Sequence, residues 1–149
     1  MENSEKKIGF AIQGIKTDQF AILEENYIPK KEVGLATELE FRLDQRNKII
    51  GIFLGLEFVQ VKKVFLKLQV SCHFKIEETT WEQFISNGRE KLVLPKGFLA
   101  HLAMITTGTA RGILFAKTES TQFARFIIPT LNVAEMIKDD VSFDFIIES

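Results

Sequence analysis

The chain has 149 residues, 46% hydrophobic and 26% charged, with a net charge of −1, a balance that excludes a disordered or fibrous chain and supplies no basic footprint for nucleic acid. At this length one domain spanning residues 1–149 is expected, hiding roughly 70% of the surface its unfolded form exposes. Fourteen phenylalanines stand against one tyrosine and one tryptophan, so most aromatic surface has no polar handle and must be buried or bind something apolar.

Met1–Lys7 is polar and charged with no apolar run behind it, which predicts no export signal. The single cysteine, Cys72, allows no internal disulfide and points to a reducing compartment, the cytoplasm. From Ile8 to Tyr27 the sequence reads as one extended segment bent at Gly14 and ended by Pro29-Lys30-Lys31. "LATELEFRLD" then alternates, with Leu35, Thr37, Leu39, Phe41 and Leu43 on one face and charged residues on the other, which predicts a half-buried strand. "IIGIFLGLEFVQ" and "VFLKLQVSCHFKIE" follow across short turns, giving a four-stranded antiparallel meander. Parity along the last strand puts Val64, Leu66, Leu68, Val70, Cys72, Phe74 and Ile76 inward. Phe65 then falls with Lys63, Lys67 and His73 on the polar face. Phe53 opposes the inward set of its own strand, so a shared Phe53/Phe65 patch on the outer face is a candidate contact surface.

Past Glu78 the period changes, and "TTWEQFIS" predicts a short helix with a threonine cap, followed by the loop "NGREK". A long helix begins near Pro95, with periodic positions Phe98, Leu102, Ile105, Thr109, Ile113 and Ala116. Its Lys117-Thr118 end lacks the glycines that a phosphate-binding loop requires. A membrane span is disfavoured because the central Arg111 costs roughly 2.5 to 3.5 kcal/mol in a bilayer. A packed helix remains, apolar nearly all round and therefore in need of cover on two sides. The sheet covers one. A second subunit is expected over the other, with Leu102, Ile105, Gly108, Arg111 and Gly112 as interface residues, the two glycines permitting close backbone approach. The alternative cover is the chain from Thr118 to Ser149 folding back. Arg111, buried in a helix, requires a carboxylate or backbone carbonyls and is expected to lock an interface.

No catalytic constellation is present in the sequence. Cys72 and His73 are adjacent in a strand and point to opposite faces, His101 has no evident partner, and no cluster has metal-ligand spacing. The expectation is a protein that is not an enzyme, without cofactor or metal.

In the C-terminal third, "STQFARFIIPTLNVAEMI" reads as an apolar crossover around Pro129, an Asn132 cap and a second short helix. Together with "FAIQGIKTDQFAI" at the start and "LPKGFLAHL" at the opening of the long helix, this order of elements resembles the SecB export chaperones. The chain departs from that family's pattern at Thr130, where a second proline is usual, and at Val133, where an aromatic is. The resemblance implies an α+β fold: a four-stranded antiparallel sheet packed on a long helix, an apolar crossover loop and a second short helix. It also implies a dimer or tetramer that holds unfolded polypeptides in apolar grooves, with the translocation motor or a toxin–antitoxin system as further partners and no insertion into a membrane. Client contacts carried over to the crossover are Phe123, Phe126, Ile128 and Leu131, each of which has the alternative of plugging the domain's own core. Against the holding role stands a non-enzymatic oligomeric domain of the same fold that binds a small apolar ligand or one specific protein.

Overall fold

The computed structural model describes residues 8–146, so the polar stretch Met1–Lys7 lies outside the described residues. Alternating apolar and polar residues build four long strands: β1 (Phe10–Ile22), β2 (Gly34–Asp44), β3 (Ile49–Gln60) and β4 (Lys63–Ile76). All pairings are antiparallel. The order in the sheet is β1-β4-β3-β2, however, so only β2 to β4 form the expected meander and β1 pairs with β4 instead of β2.

The reason lies in the long Leu23–Val33 connection, which is tied to the far end of the β3–β4 hairpin. Leu23 N–H donates to the Phe65 carbonyl (2.7 Å) and Asn26 Nδ2 to the Val64 carbonyl (2.9 Å). The buried Gln60 side chain accepts from Ile28 N–H (2.8 Å) and donates to the carbonyls of Ile28 and Lys31. These bonds hold the connection beside β4, leaving that strand's free edge for β1.

The β3–β4 hairpin turns on two residues, Val61 and Lys62, both with positive φ (47° and 64°). That geometry matches strand twist but suits Asn-Gly, and a β-branched residue there is strained. Val61→Asn with Lys62→Gly is expected to raise the unfolding free energy by about 1 kcal/mol, read as a higher urea midpoint with an unchanged m-value.

One face of the sheet carries α2 (Lys96–Thr118), which packs on β3 and β4. Its buried residues include Phe98, Leu99, Leu102, Ala103, Ala110 and Leu114. Three threonines, Thr106, Thr107 and Thr118, are buried with them because each hydroxyl donates to the carbonyl one turn earlier, leaving no orphaned donor. Pro95 stands before the first helical residue in extended conformation, and Asp140 Oδ1 accepts from Lys96 N–H (2.8 Å), satisfying one of the helix's free amides.

Smaller elements close the ends. α1 (Glu78–Phe84) buries Trp81 and Phe84; neither its expected threonine cap nor one from Asn132 before α3 (Val133–Met136) forms. Thr80 is buried instead, its Oγ1 accepting from Gly9 N–H (2.7 Å). Two short strands, β5 (Lys91–Leu94) and β6 (Val141–Asp144), pair in a second sheet that the sequence pattern did not predict.

Candidate binding surface

The aromatic residues sort into three places. The first is a cluster at the end of the β3–β4 hairpin. A β-bulge between Phe58/Leu66 and Val59/Val64 leaves Phe65 without a cross-strand partner and turns it to the inner face, against parity. There it is fully buried, with ring centroids of Phe126 at 5.0 Å, Tyr27 at 5.1 Å, Phe123 at 6.1 Å and Phe58 at 6.4 Å. Phe65 is thus not an outer-face residue. Phe123 and Ile128, carried over as client contacts, are likewise buried to 0% and 1% exposure and plug the chain's own core. Phe126 and Leu131 are half-buried, Phe126 beneath the Arg125 guanidinium. A large apolar side chain of the crossover that does face solvent is Ile127, 57% exposed, which the sequence reading did not single out as a contact.

Arg111 fixes this crossover. Its Nε donates to the Ile128 carbonyl (2.7 Å) and an Nη to the Pro129 carbonyl (2.8 Å). The expectation of backbone carbonyls as partners is met, but the contact it locks is within the chain, between α2 and the crossover.

The second place is the outer sheet face. Phe53 points outward as parity requires, yet only 8% of it is exposed. Its ring lies over Gly51, where a Cβ would come within 3.0 Å of it, under the Arg42 guanidinium (4.1 Å) and edge-on to His73 (5.5 Å). A shared Phe53/Phe65 patch is ruled out because the two rings are buried on opposite faces of the sheet. His73 shares a hydrogen bond with the buried Ser71 hydroxyl (Nε2 to Oγ, 3.0 Å). Desolvation by burial lowers the His73 pKa below its usual 6.5, Lys16 adding to the shift and Asp18 opposing it. The unfolded chain therefore takes up this proton at higher pH than the folded one. Stabilisation from neutral His73 is complete above about pH 6.5 and is lost as pH falls through the lowered folded value. His73→Asn is expected to shrink the wild-type drop in urea midpoint between about pH 7.5 and about pH 5.5.

The third place is an apolar surface that none of the described residues covers. Along α2, Gly97, His101, Met104, Gly108, Gly112 and Phe115 are exposed, Met104 to 61% and Phe115 to 51%. Their spacing follows one helix face. A Cβ at Gly97, Gly108 or Gly112 would meet nothing within 4 Å, so no packing among the described residues requires those glycines. Of the expected interface residues, Gly108 and Gly112 lie on this face and Ile105 is half-buried at its margin. Leu102 is fully buried toward the sheet and cannot belong to it.

The same surface continues onto β1. Ile12 pairs with Phe74 and Ile15 with Cys72, both core residues, so the two isoleucines lie on the sheet's inner face. They are nonetheless 47% and 51% exposed. Phe10 touches Phe98 and His101 at one end of β1, and Lys117 lies over Phe20 at the other. The flank of α2 therefore runs along β1, and Ile12 and Ile15 extend its apolar strip. Alternation alone would put residues 12 and 15 on opposite faces; the register shift between Ile12 and Gly14 turns both inward, which the sequence pattern did not show.

Other chemistry is sparse. Cys72 is a free, buried thiol, and among the described residues no group of three or more His, Cys, Asp or Glu is placed to hold a metal ion. α2 has the length and mean hydropathy (1.3) of a membrane span, with 44% of that stretch buried against the rest of the fold.

No family model and no curated protein matches this chain. Among solved structures, a protein of unknown function from Streptococcus agalactiae is similar at 18% identity over 85% of this chain and 99% of its own, with a TM-score of 0.35.

Proposed function

We propose that this protein binds non-native polypeptides through uncovered apolar surface, as a cytoplasmic SecB-like holdase assembled as a dimer or tetramer. The observation that carries the reading is the exposure of Ile12, Ile15, Met104 and Phe115, and of Ile127 on the crossover. Water-exposed aliphatic and aromatic side chains of this size gain roughly 1.5 to 3 kcal/mol each when fully buried by a partner. Such gains need no sequence-specific hydrogen bonds, which suits clients that share only apolar residues. The strip divides by shape. Around Gly108 and Gly112 the helix is smooth and admits a second helix closely, which favours a second copy of the chain there. Ile12, Ile15 and Ile127 flank that zone and remain for clients.

The apolar dye ANS tests this. The native protein is expected to bind it, an unfolded polypeptide to displace it, and Ile15→Asp/Ile127→Asp to lower the bound fraction at unchanged circular dichroism. Native protein that binds no dye contradicts the reading, and dye that a small apolar ligand displaces but an unfolded chain does not points to the ligand-binding alternative.

A further inference from the structure

β6 is a short edge strand. Its four residues are half-buried or exposed, it pairs with β5 alone, and the ion pair across that ladder, Lys91 with Asp144, lies at the surface where such pairs contribute little. Beneath it the seat is firm. Leu92 and Leu94 of β5 are fully buried, and the other edge of β5 is bridged to Ile85.

What the seat offers is mostly main-chain recognition. Phe145 N–H donates to the Glu90 carbonyl (3.0 Å). Gln45, on the turn between β2 and β3, adds two bonds: its Nε2 donates to the Asp144 carbonyl (2.7 Å) and its Oε1 accepts from Ile146 N–H (3.0 Å). An amide that bonds both a carbonyl and an N–H of an extended segment reads backbone and ignores sequence. Selectivity comes from alternation, because Val141, Phe143 and Phe145 pack on the core around Trp81 and Leu92 while Ser142 and Asp144 face solvent. A cleft of about 530 Å³, lined in part by Leu43, Trp81 and Ile85, adjoins Phe145 and Ile146.

We propose that β6 is a displaceable strand that keeps a peptide site closed, and that an extended segment of another polypeptide, apolar at three alternate positions, adds to β5 and Gln45 in its place. The inference rests on the reading of the chain as a polypeptide binder and names the segment that is bound. Exchange of one strand for another conserves the β5 ladder, while the main-chain groups of the released β6 pass to water. The tethered strand competes at high effective concentration, and weakening it strengthens the guest.

The test uses a fluorescein-labelled peptide carrying VSFDFI, followed by anisotropy with the full-length protein. Lys91 and Asp144 oppose each other as a non-hydrogen-bonded pair, the closer kind, so Lys91→Cys/Asp144→Cys suits a disulfide that locks β6 in place. The reduced protein is expected to bind the peptide and the oxidised one to bind about tenfold more weakly or not at all; Phe143→Ser, if folded, binds about tenfold more tightly. Equal binding in both redox states, no binding by the reduced protein, or a folded Phe143→Ser variant with unchanged affinity overturns the proposal. Aggregation suppression in the same two states separates the two ideas. Suppression without peptide binding removes the strand site and leaves the holding function, whereas peptide binding without suppression does the reverse.

Discussion

Phe65→Ala lowers the unfolding free energy by about 3 to 5 kcal/mol, read as a large fall in urea midpoint. The ring is fully buried in a group of five aromatics, the other four being Tyr27 of the connection, Phe58 of the hairpin, and Phe123 and Phe126 of the crossover. Truncation removes the ring's burial and leaves a cavity whose walls belong to a hairpin, a connection and a crossover, each held by its own hydrogen bonds. Such walls collapse poorly, which places the loss toward the upper part of the range. The edge-to-face contacts with Phe126 and the tilted contact with Tyr27 add to it, since aromatic pairs contribute about 0.5 to 1.5 kcal/mol beyond area. A loss below about 1 kcal/mol would mean that Phe65 faces solvent as strand parity alone suggests.

Met104→Asp/Phe115→Asp converts the proposed assembly to monomer without lowering the stability of the monomer. Both side chains are more than half exposed, so carboxylates there are hydrated in a single chain. Facing a second α2 they are stripped of water, and the Arg111 guanidinium near the middle of the helix is already committed to the crossover carbonyls. Several kcal/mol per unpaired buried charge is ample to dissociate a helix-to-helix interface. The measurement is mass by light scattering at matched concentration, with circular dichroism as the control. An assembly of unchanged mass would place the interface elsewhere.

Much of the architecture was legible because it follows from period alone. The alternation of Leu35 through Asp44 and of Leu66 through Ile76 fixed the strands and their inward faces, and the spacing from Phe98 gave α2 as a helix, although its buried stripe runs through Thr106, Ala110 and Leu114 and leaves Ala116 exposed. What was not legible depends on contacts between distant segments. A bulge at Phe65 inverts parity for one residue, and its cause is bonding to Leu23, far away in the chain. The neighbour of β1 was set by the Gln60 clamp on Ile28 and Lys31, a side-chain bond that no periodicity encodes. β5 and β6 are too short for period to distinguish from loop. In the candidate surface, Gly108 and Gly112 were readable as a smooth helix face. The crossover was not, because Phe123 and Ile127 are equally apolar in sequence and only the fold decides that one is buried and the other exposed.

The most direct measurement is suppression of aggregation of a refolding model protein, with the mass of the assembly read by light scattering on the same sample. Assembled wild-type protein is expected to hold the client, and Ile15→Asp/Ile127→Asp to lose that holding while the assembled mass stays unchanged. A well-assembled wild-type protein that leaves aggregation untouched would mean that the exposed apolar side chains do not serve non-native polypeptides.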